Sequence, residues 1–93
     1  MDGSERTARW RITGRVQGVG FRWWCSQQAG QFGLRGWVLN RPDGTVEVAA
    51  CGSDSGLQEL ERRLRIGPPS ADIHSVLHLG SDPIGSTQGF EIR

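Results

Sequence analysis
Gly14-Arg15-Val16-Gln17-Gly18-Val19-Gly20-Phe21-Arg22 is a glycine-punctuated turn that closes on an aromatic residue and an arginine. Upstream, Thr7 to Gly14 alternates, with Trp10 and Ile12 on one face and Arg9, Arg11 and Thr13 on the other, which predicts a half-buried strand. Downstream, Phe21, Trp24, Cys25, Gln28, Ala29 and Phe32 recur at helical spacing and Gly33 stands where a C-cap glycine belongs. The stretch is therefore a strand-to-helix turn. Glycines let backbone amides converge on a ligand, and a helix starting at Phe21 aims its positive end at the same place. Helical side chains lean toward the N-terminus, so Arg22 is expected to fold over whatever the loop holds. The turn reads as an anion cradle.

The alternation resumes from Leu34 to Asn40, with Leu34, Gly36, Val38 and Asn40 on one face and Arg35, Trp37 and Leu39 on the other. Pro42-Asp43-Gly44 is a turn, and Asp-Gly between two apolar runs signals a hairpin, so Thr45 to Cys51 should pair antiparallel with the preceding strand, Val46, Val48 and Ala50 inward. Ser55 and Gln58 have capping-box spacing ahead of Leu57, Leu60 and Leu64, a second amphipathic helix that Gly67-Pro68-Pro69 stops. Glu59, Glu61, Arg62 and Arg63 form its charged face. A bulged strand follows over Ile73 to Leu79, because Ile73 and Val76 break strict alternation, and Phe90-Glu91-Ile92 suits a closing strand. Strand, helix, hairpin, helix and strand make the split βαβ plan: a ferredoxin-like βαββαβ α+β sandwich, an antiparallel sheet with both helices on one face.

A chain of 93 residues is one domain with a thin core. Residues 1–6 are polar and mixed in charge and read as a disordered tail, leaving 7–93 as the domain. With 11 basic and 10 acidic residues the net charge is +1, which gives no global field to recruit nucleic acid or an acidic membrane surface. Every basic residue is arginine, so Schiff-base chemistry is excluded. Cys25 and Cys51 follow no signal peptide and are expected as reduced thiols in the cytoplasm, and no apolar run approaches the roughly 20 residues of a membrane span.

Nucleophiles and acid–base pairs are scarce. His74 and His78, four apart on a predicted strand, share a face and offer a metal pair with no third ligand placed by spacing. Cys25 lies on the apolar stripe and reads as core, and no serine has a Gly-x-Ser-x-Gly context. The loop lacks Gly-Lys-Ser/Thr, so it is not a Walker motif.

Two stretches together are more specific than either alone. Gly14 to Arg22, and Gly33-Leu34-Arg35-Gly36-Trp37-Val38-Leu39-Asn40 followed by Asp43-Gly44-Thr45-Val46-Glu47, resemble in order the two signature segments of the acylphosphatase family, and the likeness runs from Ala8 to Arg93. That resemblance implies hydrolysis of an acyl phosphate to a carboxylate and inorganic phosphate, with no metal or other cofactor. It implies that Arg22 and the amides of Arg15, Val16, Gln17, Gly18, Val19 and Gly20 bind phosphate, while Asn40 orients the attacking water. A monomer acting on a small acyl phosphate, with no nucleic-acid or membrane partner, is the expectation. The chemistry agrees, because a carboxylate leaves unprotonated at neutral pH and needs no general acid. Two other readings compete: an RNA-binding module using Arg9, Arg11, Arg35 and Trp37 on the open sheet face, and a carbamoyl-phosphate-binding domain of a larger protein.

Overall fold
Alternation along the first strand sends Ala8, Trp10 and Ile12 into the interior, and the rest of the fold is layered on that face. The computed structural model describes residues 5–93. In chain order the elements are β1 (Arg6–Arg15), α1 (Phe21–Gln31), β2 (Arg35–Asn40), β3 (Val46–Gly52), α2 (Asp54–Ile66), β4 (Asp72–Gly80) and β5 (Phe90–Ile92). They form one five-stranded sheet in the order β4-β1-β3-β2-β5. Its core joins the inward residues of β1, β2 and β3 to Phe21, Cys25 and Ala29 of α1 and to Leu57, Leu60 and Leu64 of α2, so both helices cover the same face. The ferredoxin-like α+β fold is thus the observed one.

The hairpin pairs antiparallel as expected, with Asn40 opposite Val46 and Val38 opposite Val48. The sheet is not antiparallel throughout. β5 runs parallel to β2, Val38 opposite Ile92, because the segment after β4 crosses to the far edge before pairing. The bulge expected in the fourth strand is present twice, at the register shifts beside Arg9/Trp10 and Thr13/Gly14. The second lets both Ile73 and Val76 reach the core despite their odd spacing. It also undoes the histidine pair: His78 stands edge-on to the inward Trp10 ring at 6.2 Å, whereas His74 is beside Asp72 at 3.3 Å.

Local chemistry sets the helix ends. Gly33, at φ 68°, lets the Leu34 amide return to the Ala29 carbonyl, as expected of a C-cap glycine. The second helix is capped by Ser53, not Ser55: the extended Ser53 accepts the Gly56 amide at 3.1 Å, and Asp54 occupies the first turn, where a carboxylate complements the helix dipole. Gln58 instead reaches Asp54. The first strand takes in part of the expected tail. Arg6 is already paired with Gly52 and Glu5 bridges to Arg35, while residues 1–4 of the expected tail lie outside the described residues.

The opposite face of the sheet carries an ionic network. Glu47, 3% exposed, receives Arg9 at 2.5 Å and Arg41 at 2.7 Å. Trp37 is also buried on this face, with the guanidinium groups of Arg9 and Arg93 over its ring at 5.5 and 5.4 Å. The ring that the RNA-binding reading needed for base stacking is thereby covered. Removing the buried Glu47 leaves two half-buried guanidinium groups crowded without their counter-ion, so Glu47→Ala should cost about 2–3 kcal/mol and lower Tm by about 10–20 °C in a thermal melt. Arg35→Ala, which breaks the exposed pair with Glu5 and a long bond to the Gly85 carbonyl, should leave the melt close to that of the parent.

Candidate active site
The glycine turn is held at both ends and in the middle. Gly14, at φ 129°, lies so close to β4 that a Cβ would sit 2.1 Å from the Asp72 carbonyl oxygen, so glycine is required there for approach. Val16 is buried in the core. Gly18 and Gly20 adopt φ near 76° and 78°, yet nothing lies within 4 Å of where their Cβ atoms would be. At these two positions glycine serves the left-handed backbone and leaves an open surface. Between them, the Val19 carbonyl accepts from Ser70 Oγ at 2.8 Å. Gln17 Nε2 donates to the carbonyls of Arg41 at 2.8 Å and Thr45 at 2.9 Å, fastening the loop to the β2–β3 turn.

The helix starts directly from this loop, its first intrahelical bond running from the Trp24 amide to the Gly20 carbonyl at 3.0 Å. The amides of the first turn have no helical acceptor, so they carry the positive end of α1 toward the loop. Arg22 is half-buried, and its Nη1 donates to the main-chain oxygen of Arg93 at 2.7 Å. One of five N–H donors is used in that bond. Asn40 ends β2 on the helix-facing side, and its Oδ1 is buried without a hydrogen-bond partner.

These elements enclose a cleft of about 210 Å³, lined by Val16, Gly18, Gly20, Phe21, Arg22, Trp23, Asn40 and Ile92. Arg22 and Asn40 therefore meet with the loop glycines, as do Val16, Gly18 and Gly20 of the expected cradle. Arg15, Gln17 and Val19 are not part of the lining: Arg15 is exposed at the end of β1, and the other two anchor the loop from outside. Phe21, Trp23 and Ile92 went unrecognised in the sequence. Ile92 arrives only through the parallel pairing of β5 with β2, for which no local pattern exists. Cys25, one turn beyond Arg22, is wholly buried, and burial pushes its thiol far above the usual range, so it is core rather than nucleophile.

A larger hollow of about 560 Å³ lies by the N-terminal half of α2, lined among others by Trp10, His78, Arg6 and the carboxylates of Glu5, Asp54 and Glu61. It contains none of the loop residues. An anion there would face three carboxylates and one guanidinium, whereas the smaller cleft has one guanidinium, a helix N-terminus and no acidic side chain in its lining. Electrostatics favours the smaller cleft for a phosphate.

The fold and this cleft have known counterparts. A structure of acylphosphatase from Bacillus subtilis superposes with a TM-score of 0.88 at 33% identity, covering 97% of this chain and 99% of that one. The chain is 42% identical over 93 residues to an acylphosphatase from Koribacter versatilis, covering all of this chain and 84% of the relative. It is 46% identical over 89 residues to one from Synechococcus sp. strain WH7803, covering 94% and 88%. The family model described as Acylphosphatase matches residues 8–92. The chain belongs to the acylphosphatase family, hydrolases of acyl phosphates. No helix among the described residues is long and apolar enough to cross a membrane.

If the Gln17 amide holds the loop against the hairpin turn, Gln17→Ala should cost about 1–2 kcal/mol of stability and weaken inhibition by inorganic phosphate several-fold. Thermal melts and competitive inhibition measure the two effects separately.

Proposed function
We propose that the cleft between the glycine loop and the end of β2 hydrolyses acyl phosphates with the protein's own groups and no resident metal. The observation that carries this reading is the convergence of Gly18, Gly20, Arg22 and Asn40 on one cleft, with the Asn40 acceptor unpartnered. In this reading the phosphoryl oxygens bind amides of the 15–20 loop and the start of α1, and the free donors of Arg22 take the remaining charge. Gly18 and Gly20 serve because no side chain stands between their backbone and the ligand.

Asn40 holds the nucleophile. A buried acceptor without a partner costs about 1–3 kcal/mol, and a water seated beside the phosphate relieves it. The amide is neutral, so it orients the water without competing as a base. The water oxygen attacks phosphorus while the bridging P–O bond breaks. The carboxylate departs with the electron pair, and a phosphoryl oxygen takes the water's proton. No general acid is required because the leaving group is stable as an anion. Catalysis then rests on in-line placement and on fixed positive charge around the equatorial oxygens.

Two buried free thiols fit a cytoplasmic enzyme. Carbamoyl phosphate presents the same phosphoryl end on a small acyl group, so it belongs in the substrate panel beside acetyl and benzoyl phosphate.

Arg22→Gln should abolish turnover and inhibition by inorganic phosphate. Asn40→Ala should leave phosphate inhibition nearly intact and lower kcat about 100-fold or more, the scale of one preorganised polar group. Steady-state kinetics on the three substrates decides: wild-type turnover in Arg22→Gln would overturn the assignment.

A further inference from the structure
Five large apolar side chains are exposed among the described residues: Trp23, Ile66, Leu77, Leu79 and Ile92. Isolated exposure of this kind is ordinary on a protein surface. Trp23 and Ile92 differ from the others because both line the cleft that holds Arg22 and Asn40, although they come from different elements, the first turn of α1 and the last strand. Trp23 is 63% exposed and Ile92 48% exposed. Neither is needed in the core, which Phe21, Cys25 and Ala29 supply from α1.

Their position fits one part of the substrate. With the phosphoryl group against the loop glycines and Arg22, the acyl group has to project toward the open side of the cleft. At about 210 Å³ the cleft is smaller than the roughly 300–1,000 Å³ of pockets that enclose drug-sized ligands, so only a short acyl group is contained and a longer one must lie on the rim. There it meets an indole and a branched aliphatic chain, with no lining carboxylate to repel it or to recognise a polar substituent. A helical side chain leans toward the N-terminus of its helix, which is the cleft end of α1.

We propose that Trp23 and Ile92 form an acyl subsite selecting flat apolar acyl groups, aromatic ones above all, over acetyl. This rests on the reading of the cleft as the acyl-phosphate site and names the acyl class that site prefers. An aryl acyl phosphate buries its ring against the indole, whereas an acetyl group ends before reaching it. The interaction is present in ground state and transition state alike, so it acts on KM more than on kcat. Offset or edge contact between two rings is worth a factor of about 2–10 in binding.

The test compares benzoyl and acetyl phosphate as substrates for the whole protein. Trp23→Ala should lower the benzoyl-to-acetyl ratio of kcat/KM about fivefold, the loss appearing as a raised KM for benzoyl phosphate. Trp23→Phe should restore most of the ratio. Inhibition by inorganic phosphate, which has no acyl group, should stay within twofold of the parent. An unchanged ratio in Trp23→Ala, or a parent enzyme that does not prefer benzoyl phosphate, would overturn the subsite while leaving the hydrolase standing. A parent that hydrolyses neither substrate would overturn the reading of the cleft itself.

Discussion
Covering one face of a single sheet with two helices is the constraint on which the rest of this molecule depends. Trp10 and Ile12 of β1 are almost entirely buried there, against side chains that α1 and α2 bring from above. Trp10 adds a fastening of its own, since its indole nitrogen donates to Glu61 of α2 at 3.0 Å. Arg63 plays the equivalent part between the helices, hydrogen-bonded to Gln28 of α1 with its guanidinium over the Phe32 ring. Once α1 is fixed over β2, its first turn can point only at the loop that leads into it and at the strand end beneath. The cleft is a by-product of that packing.

Electrostatics divides the two faces of the sheet. On the open face Arg9 and Arg41 neutralise the Glu47 carboxylate, and the guanidinium groups of Arg9 and Arg93 lie over the Trp37 ring. On the helix side Arg22 makes a single hydrogen bond, to the Arg93 main-chain oxygen, and meets no acidic side chain in its cleft. Arg22 has no acidic side chain as a partner among the described residues, and it stands in the first turn of α1. Positive charge with no acidic side chain beside it is what a bound anion can exploit.

Much of this was legible in the sequence, and what was hidden is hidden for physical reasons. Alternation located β1 and the hairpin because period two is a local signal, and Asp43-Gly44 and Gly33 marked their turns because few residues tolerate those backbone angles. The second helix cap was misplaced because Ser53 and Ser55 have the same chemistry and only the extended backbone at Ser53 decides between them. Burial of Glu47 follows from arginines on other segments, and the direction of β5 follows from an aperiodic crossing, so neither leaves a local trace. The site was half legible. Arg22 stood beside its loop, but only family resemblance brought in Asn40, and the contribution of Ile92 is wholly tertiary.

The parallel pairing of β5 has one more consequence, for what an activity measurement reports. This strand is three residues long and hydrogen-bonded on one side only, yet it furnishes Ile92 to the cleft and leads into Arg93, whose main-chain oxygen holds Arg22. Short edge elements open at far less free energy than a buried core does. Transient detachment of β5 would strip one wall from the cleft and release the arginine, while the core beneath α1 and α2 stayed intact. Turnover in this enzyme therefore counts molecules whose last strand is docked, a smaller population than the molecules that are folded, and its loss on heating should precede the loss of the core.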